Sequence, residues 1–139
     1  MAQFVFKQMI EERGLSDKFE IDSAATESYN EMCHAGIHHG TREMLKSMHV
    51  PFEEHYSRRI RPRDYAYHDY ILAMDDSNIE DIKSIVGEDT DNKICRLLDF
   101  ANKPRNIKDP WYTGNFDETS WDIVEGCQEF LDSLDLLFI

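Results

Sequence analysis

Cysteine is scarce in this chain. Cys33, Cys95 and Cys127 are an odd number, stand far apart and include no Cys-x-x-Cys pair. That excludes a disulfide framework and a zinc ribbon. Long apolar runs are absent as well. None approaches the roughly 18 residues of a membrane span, and no secretory leader opens the sequence. The expectation is a cytoplasmic protein without a membrane partner. Positive charge is in short supply: 15 Lys and Arg stand against 28 Asp and Glu, a net charge of −13. Such a field repels nucleic acid and anionic lipid, so neither is expected as a partner. There is no internal repeat, low-complexity segment or interdomain linker. What remains is a chain of 139 residues, 41% hydrophobic and 31% charged, read as a single domain over 1–139 with one core.

Periodicity supplies the elements. "MAQFVFKQMIEERGL" predicts a helix with Phe4, Phe6, Met9 and Ile10 on its apolar side and Gly14 as its stop. "KFEIDSAA" predicts a short strand, Phe19 to Ser23. Thr26 to Gly40 has turn residues and no period, and reads as loop. "TREMLKSMHV" is a short helix ended by Pro51, and "RPRDYAY" a further helical turn. "DYILAMD" reads as a buried strand, "DSNIEDIKSIV" as a helix with capping-box spacing between Ser77 and Glu80, and "KICRLLDF" as the next strand. A loop from Ala101 to Phe116 leads into a last helix, about Asp117 to Leu134, with Ile123, Val124, Cys127, Phe130, Leu131 and Leu134 at helical spacing. Strands alternating with helices imply an α/β fold with a parallel sheet.

In such a sheet ligands bind beyond the carboxyl ends of the strands. The loop holding "NIKDPWYTGNFDE" follows the strand "ICRLL" and so lies at that edge. Pro110 holds Asp109 in an extended or turn conformation. Two readings stand side by side. Trp111 and Tyr112 can wall a slot for a flat ring, with Asp109 donating a proton to a leaving oxygen. Or Asp-Pro starts a turn and the rings cover the core. Other clusters carry less chemistry. His34, His38 and His39 lack a clustered carboxylate or thiolate beyond Cys33, so they read as a solvated loop and no metal is expected. Arg58, Arg59, Arg61 and Arg63 form one positive patch, either receiving an anion or solvated. Cys95 and Cys127 read as core residues.

Three stretches together carry a resemblance: "IDSAAT" at 21–26, "RRIRPRDYAYHDYILAMDDSN" at 58–78 and "DPWYTGNFDE" at 109–118. In order and spacing, over essentially the whole chain, they resemble the low-molecular-weight protein tyrosine phosphatase family. The resemblance implies that Asp109 is the general acid that protonates a leaving phenolate. It assigns Trp111 and Tyr112 to one wall of a phosphotyrosine slot and Tyr29 to the other. It implies that Ser23 and His55 support the phosphate-binding loop from beneath. The implied substrate is a phosphotyrosine protein or small aryl phosphate, hydrolysed through a cysteinyl-phosphate with no cofactor. The implied fold is a three-layer α/β sandwich around a four-stranded parallel sheet in the order 2-1-3-4.

The family's reaction also needs a Cys-x5-Arg loop between its first strand and first helix. There a helix N-terminus favours the phosphate dianion and lowers the thiol pKa. No Cys-x5-Arg occurs here: Cys33 meets His39, Cys95 meets Ala101 and Cys127 meets Ser133. Met1 stands about where the residue after that loop belongs. The expectation is a phosphatase-like chain without its first strand and nucleophile loop, through a miscalled start, truncation or natural loss. The run "DLLFI", residues 135–139, either fills the first-strand position with Leu136 to Ile139 or extends the last helix. Two functions follow: a phosphatase inactive in this form, or a non-catalytic remnant acting as a binding module. The sequence does not fix an oligomeric state.

Overall fold

The computed structural model describes residues 1–103 and 105–135. Its elements are, in order, α1 (Ala2–Glu12), α2 (Tyr29–Met32), α3 (His39–Ser47), α4 (Pro62–Tyr67), β1 (Ile71–Ala73), α5 (Asp76–Val86), β2 (Ile94–Arg96), α6 (Pro110–Thr113) and α7 (Phe116–Asp135), with 3-10 turns at Ser16–Lys18 and Leu97–Ala101. The apolar stripe of α7 becomes the pillar of the core. Ile123, Cys127, Phe130, Leu131 and Leu134 are buried along it. They pack against Phe4, Val5, Phe6 and Ile10 of α1 and Leu97 and Leu98 of the second 3-10 turn. Phe130 sits among rings, with centroids 4.8 Å from Phe100, 5.2 Å from Tyr70 and 5.5 Å from Phe6.

β1 and β2 pair in parallel, with Ile71 opposite Ile94, Leu72 opposite Cys95 and Ala73 opposite Arg96. α5 is the crossover between them and buries Ile82 against Ala73 and Ile60 in a smaller second core. This is a βαβ unit, and the α/β class follows from it.

The structure departs from the sequence reading at several points. Among the described residues the sheet has two strands, not four. Phe19–Ser23 forms no strand. Nearby, a single parallel bridge joins Ala25 to Arg59. An extended segment becomes a strand only when a neighbour takes its backbone hydrogen bonds, and the described residues place none beside 19–23. Leu136–Ile139, the run expected to extend the helix or fill the first-strand position, lies outside the described residues. The strand expected over "KICRLLDF" stops at Arg96, because the Asp99 carboxylate accepts the Arg96 backbone N–H at 3.2 Å and turns the chain into a 3-10 helix. The stretch 26–40 is not all loop: it holds α2 and the start of α3. α5 is capped two residues earlier than the Ser77–Glu80 spacing suggested, by Asp75 accepting from Asn78 N at 2.7 Å.

The segment ahead of Asp109 is strapped to the core at three points. Ile107 is buried, and its N–H donates to Met74 O at the end of β1, 2.8 Å away. Thr119 of α7 donates its hydroxyl to Lys108 O at 2.9 Å. The Arg105 guanidinium grips buried Asp122 of α7 through two bonds of 2.9 and 2.8 Å. The bidentate fork fixes direction as well as distance. Two outcomes follow. Leu131→Ala, at a fully buried position, should lower unfolding free energy by about 2–5 kcal/mol in denaturant titration. Asp122→Ala should leave the melting transition cooperative but speed amide hydrogen exchange at Ile107 and neighbouring residues far more than in α1. Unchanged exchange there would mean that the strap does not hold the loop.

Candidate active site

Asp109 stands at the end of the strapped segment, and Pro110 at the first position of α6 supplies the φ a helix start needs. The Asp109 carboxylate caps the turn: Oδ1 accepts the Trp111 N–H at 2.9 Å. Its second oxygen takes no hydrogen bond among the described residues. Gly114, with φ of 69°, ends the turn in the left-handed region. The two rings do not cover the core. Trp111 is 71% exposed and Tyr112 84%. The sequence reading that Asp-Pro starts a turn therefore holds, and the reading that the rings seal the core does not.

His38 joins this loop to the body of the protein. Its Nδ1 accepts the Gly40 N–H at 3.1 Å and so caps α3. Its ring lies stacked on Phe116, centroids 5.6 Å apart, and meets the Trp111 ring edge-on at 5.4 Å. Gly40 is required beneath: a Cβ there would stand 2.2 Å from the Phe116 ring. Sequence reasoning placed His38 in a solvated loop and missed this. The contact joins positions far apart in the chain, and nothing local signals it. Among the described residues no three His, Cys, Asp or Glu side chains form a group able to hold a metal.

His38 also borders a cavity of about 230 Å³ whose lining includes Gln3, Ser23, His55, Ser57 and Arg58. Ser23 and His55 meet there. Ser23 Oγ donates to Gln3 Oε1 at 2.6 Å and lies 3.0 Å from His55 Nε2. A hydroxyl has one proton, so with that proton on Gln3 the imidazole must donate to Ser23. With Ser23 donating to Gln3, His55 takes no proton from Ser23, so the pair lacks the polarity of a serine nucleophile with its base. Tyr29 opens α2 on the neighbouring segment and is 71% exposed. That segment crosses the 57–60 chain through Ala25 N to Arg58 O and Ser57 N to Ala35 O, both 2.8 Å. The structure brings Ser23 and His55 together at the cavity and links Trp111 to it through His38. It shows no contact joining Tyr29 to Trp111 or Tyr112 among the described residues.

The arginine patch is largely claimed by its own chain. Arg58 binds Asp64 through bonds of 3.0 and 3.1 Å and Asp22 at 3.1 Å. The hydrogen bond to Asp64, more than the field of Asp22, raises its pKa. Arg61 binds Glu31 at 2.7 Å and Arg59 O at 2.8 Å, and Arg59 binds Thr26 O at 3.2 Å. These three guanidinium groups are committed to their own chain and hold the 22–31 segment in place, while Arg63 stays exposed. Nor are the core cysteines nucleophiles. Burial pushes the Cys95 thiol up to about 11 and the Cys127 thiol up to about 12. A thiol held that high stays protonated near neutrality.

The low molecular weight phosphotyrosine protein phosphatase family matches residues 1–136. The low molecular weight protein-tyrosine-phosphatase YfkJ of Bacillus subtilis is 34% identical over 138 residues, covering 96% of this chain and 86% of that protein. The crystal structure of YfkJ superposes with a TM-score of 0.88, covering 96% of this chain and 84% of that one. PtpA of Staphylococcus epidermidis, also a low molecular weight protein-tyrosine-phosphatase, is 32% identical over 133 residues, covering 95% of this chain and 82% of PtpA. The crystal structure of a protein tyrosine phosphatase from Entamoeba histolytica, 27% identical, gives a TM-score of 0.87 over 99% of this chain and 89% of that one. Likeness of this extent, in sequence and in backbone alike, means that the chain belongs to the low molecular weight phosphotyrosine protein phosphatase family.

Proposed function

We propose that the Asp109 loop is the leaving-group half of a phosphotyrosine or aryl phosphate monoesterase. The observation that carries this reading is a carboxylate fixed by its own cap beside two exposed rings, on a segment strapped to the core. In the reaction a thiolate attacks phosphorus while the bond to the phenolic oxygen breaks. Asp109 gives its proton to that oxygen. It then takes a proton from the water that hydrolyses the cysteinyl-phosphate, so acid and base roles alternate on one group. Trp111 and Tyr112, with Tyr29 opposite, suit a flat aromatic group. Ser23 and His55 would hold the phosphate loop from beneath.

The 139 residues contain no Cys-x5-Arg, and Cys95 and Cys127 are buried or half-buried with raised thiol pKa values. Cys33 is exposed, but His39 and not arginine stands six positions on, so none of the three cysteines sits in a Cys-x5-Arg loop. The same observation favours the second reading, a non-catalytic remnant that serves as a binding module. The coding DNA ahead of Met1 separates the two: an in-frame strand followed by Cys-x5-Arg-Ser-Pro supports the enzyme. With that strand in the gap beside 19–23, the parallel sheet would reach four strands.

The 139-residue chain should not turn over p-nitrophenyl phosphate; measurable hydrolysis by pure protein of confirmed mass would overturn the proposal. A chain extended by the first strand and Cys-x5-Arg loop should hydrolyse aryl in preference to alkyl phosphates. In that extended chain Asp109→Asn should slow esters of poor leaving groups by about 10²–10⁴-fold and good ones much less. Asn caps helices about as well as Asp, so the melting temperature should hold. Equal slowing for every leaving group would leave Asp109 as scaffolding only.

A further inference from the structure

A second concave surface lies away from the Asp109 loop. An open groove of about 510 Å³ runs between α3 and α7. Its floor is apolar: Met44 from α3, Met48 just after it, and Trp121 and Val124 from α7. Trp121 is 69% exposed although its helix carries the core. The rim is acidic, with Asp117, Glu125 and Glu129 on the outward stripe of α7. No lysine or arginine lines the groove among the described residues. Lys103 reaches it from outside, with Nζ 2.7 Å from Glu125 Oε2 in a half-exposed pair.

Covering this floor removes apolar surface from water, and a rim of carboxylates must then meet positive charge or be dehydrated without a partner. A second copy of the chain offers the wrong sign. Its groove carries the same carboxylates, and its net charge of −13 repels its twin. We infer that the α3–α7 groove docks a cationic amphipathic helix of another protein. A large apolar side chain of that helix sits between Met44, Met48 and Trp121, and its lysines or arginines lie along Asp117 and Glu129, while Lys103 keeps Glu125. Methionine thioethers adapt to the shape of such an anchor. This surface needs neither the nucleophile loop nor Asp109, so it stands whichever reading of the active site holds.

The test uses the full chain carrying Trp111→Phe, which leaves Trp121 as its one tryptophan. A synthetic amphipathic peptide of leucine and lysine should shift Trp121 emission to the blue and saturate. The same peptide with glutamate for lysine should not bind. A lysine-only peptide should bind about tenfold weaker or worse, because it lacks the anchor. Asp117→Lys with Glu129→Lys should weaken the leucine–lysine peptide by a similar factor, with circular dichroism unchanged. Three results would overturn the inference. One is equal binding of the lysine-only peptide, which is attraction to net charge alone. Another is affinity indifferent to the two charge reversals, or no blue shift. The third is self-association without peptide that Trp121→Ala abolishes, which makes the groove a face between copies.

Discussion

The fold hangs on the buried stripe of α7. Ile123, Cys127, Phe130, Leu131 and Leu134 share one core with Phe4, Val5, Phe6 and Ile10 of α1 and with Leu97 and Leu98. Gly126 shows how close that approach is, since a Cβ there would stand 2.6 Å from the Leu97 side chain. The first turns of the same helix then hold the loop ahead of Asp109, through Thr119 and Asp122. One helix therefore sets both the core and the position of the carboxylate. Displacing α7 by its packing would move Asp109 with it, because Lys108 and Arg105 follow Thr119 and Asp122.

The acidic balance of the chain acts within this frame through local pairing. Arg58 divides itself between Asp22 and Asp64, and Asp64 also accepts the Arg61 N–H at 2.7 Å as the cap of α4. That knot places Ser23 next to His55, since Asp22 precedes Ser23 and Arg58 follows His55 by three positions. Three of the four arginines that suggest an anion receptor in sequence, Arg58, Arg59 and Arg61, are in space ties within their own chain.

What the sequence made legible is what short-range chemistry decides. The apolar stripe of α7 repeats at 3.6 residues, so the helix was readable; Asp before Pro announces a turn, and Asp109 caps one. β1 and the helix α5 were readable from an apolar run followed by a capped periodic segment. What escaped depends on partners distant in the chain. Whether Phe19–Ser23 pairs as a strand depends on a neighbour that local sequence does not supply. The Asp99 carboxylate that stops β2 competes with the ladder for one N–H, and β-propensity does not weigh that competition. His38 looks like a loop histidine until Phe116 and Trp111 are set around it. Motif resemblance singled out Asp109, Ser23 and His55 as residues but not the Gln3 hydrogen bond that decides which way the Ser23 proton points.

The demands of the fold and of chemistry separate at Asp109. A helix cap needs an oxygen that accepts an N–H, and Asn or Ser provides one as well as Asp. Only a carboxyl can also deliver a proton to a leaving oxygen, and here Oδ1 serves the cap while the second oxygen stays unclaimed among the described residues. The rings beside it follow the same logic. Folding gains little from Trp111 and Tyr112 at 71% and 84% exposure, because apolar area contributes only when it leaves water. A flat substrate that covers them would bring that gain at binding, next to a carboxyl that α7 has already fixed in place.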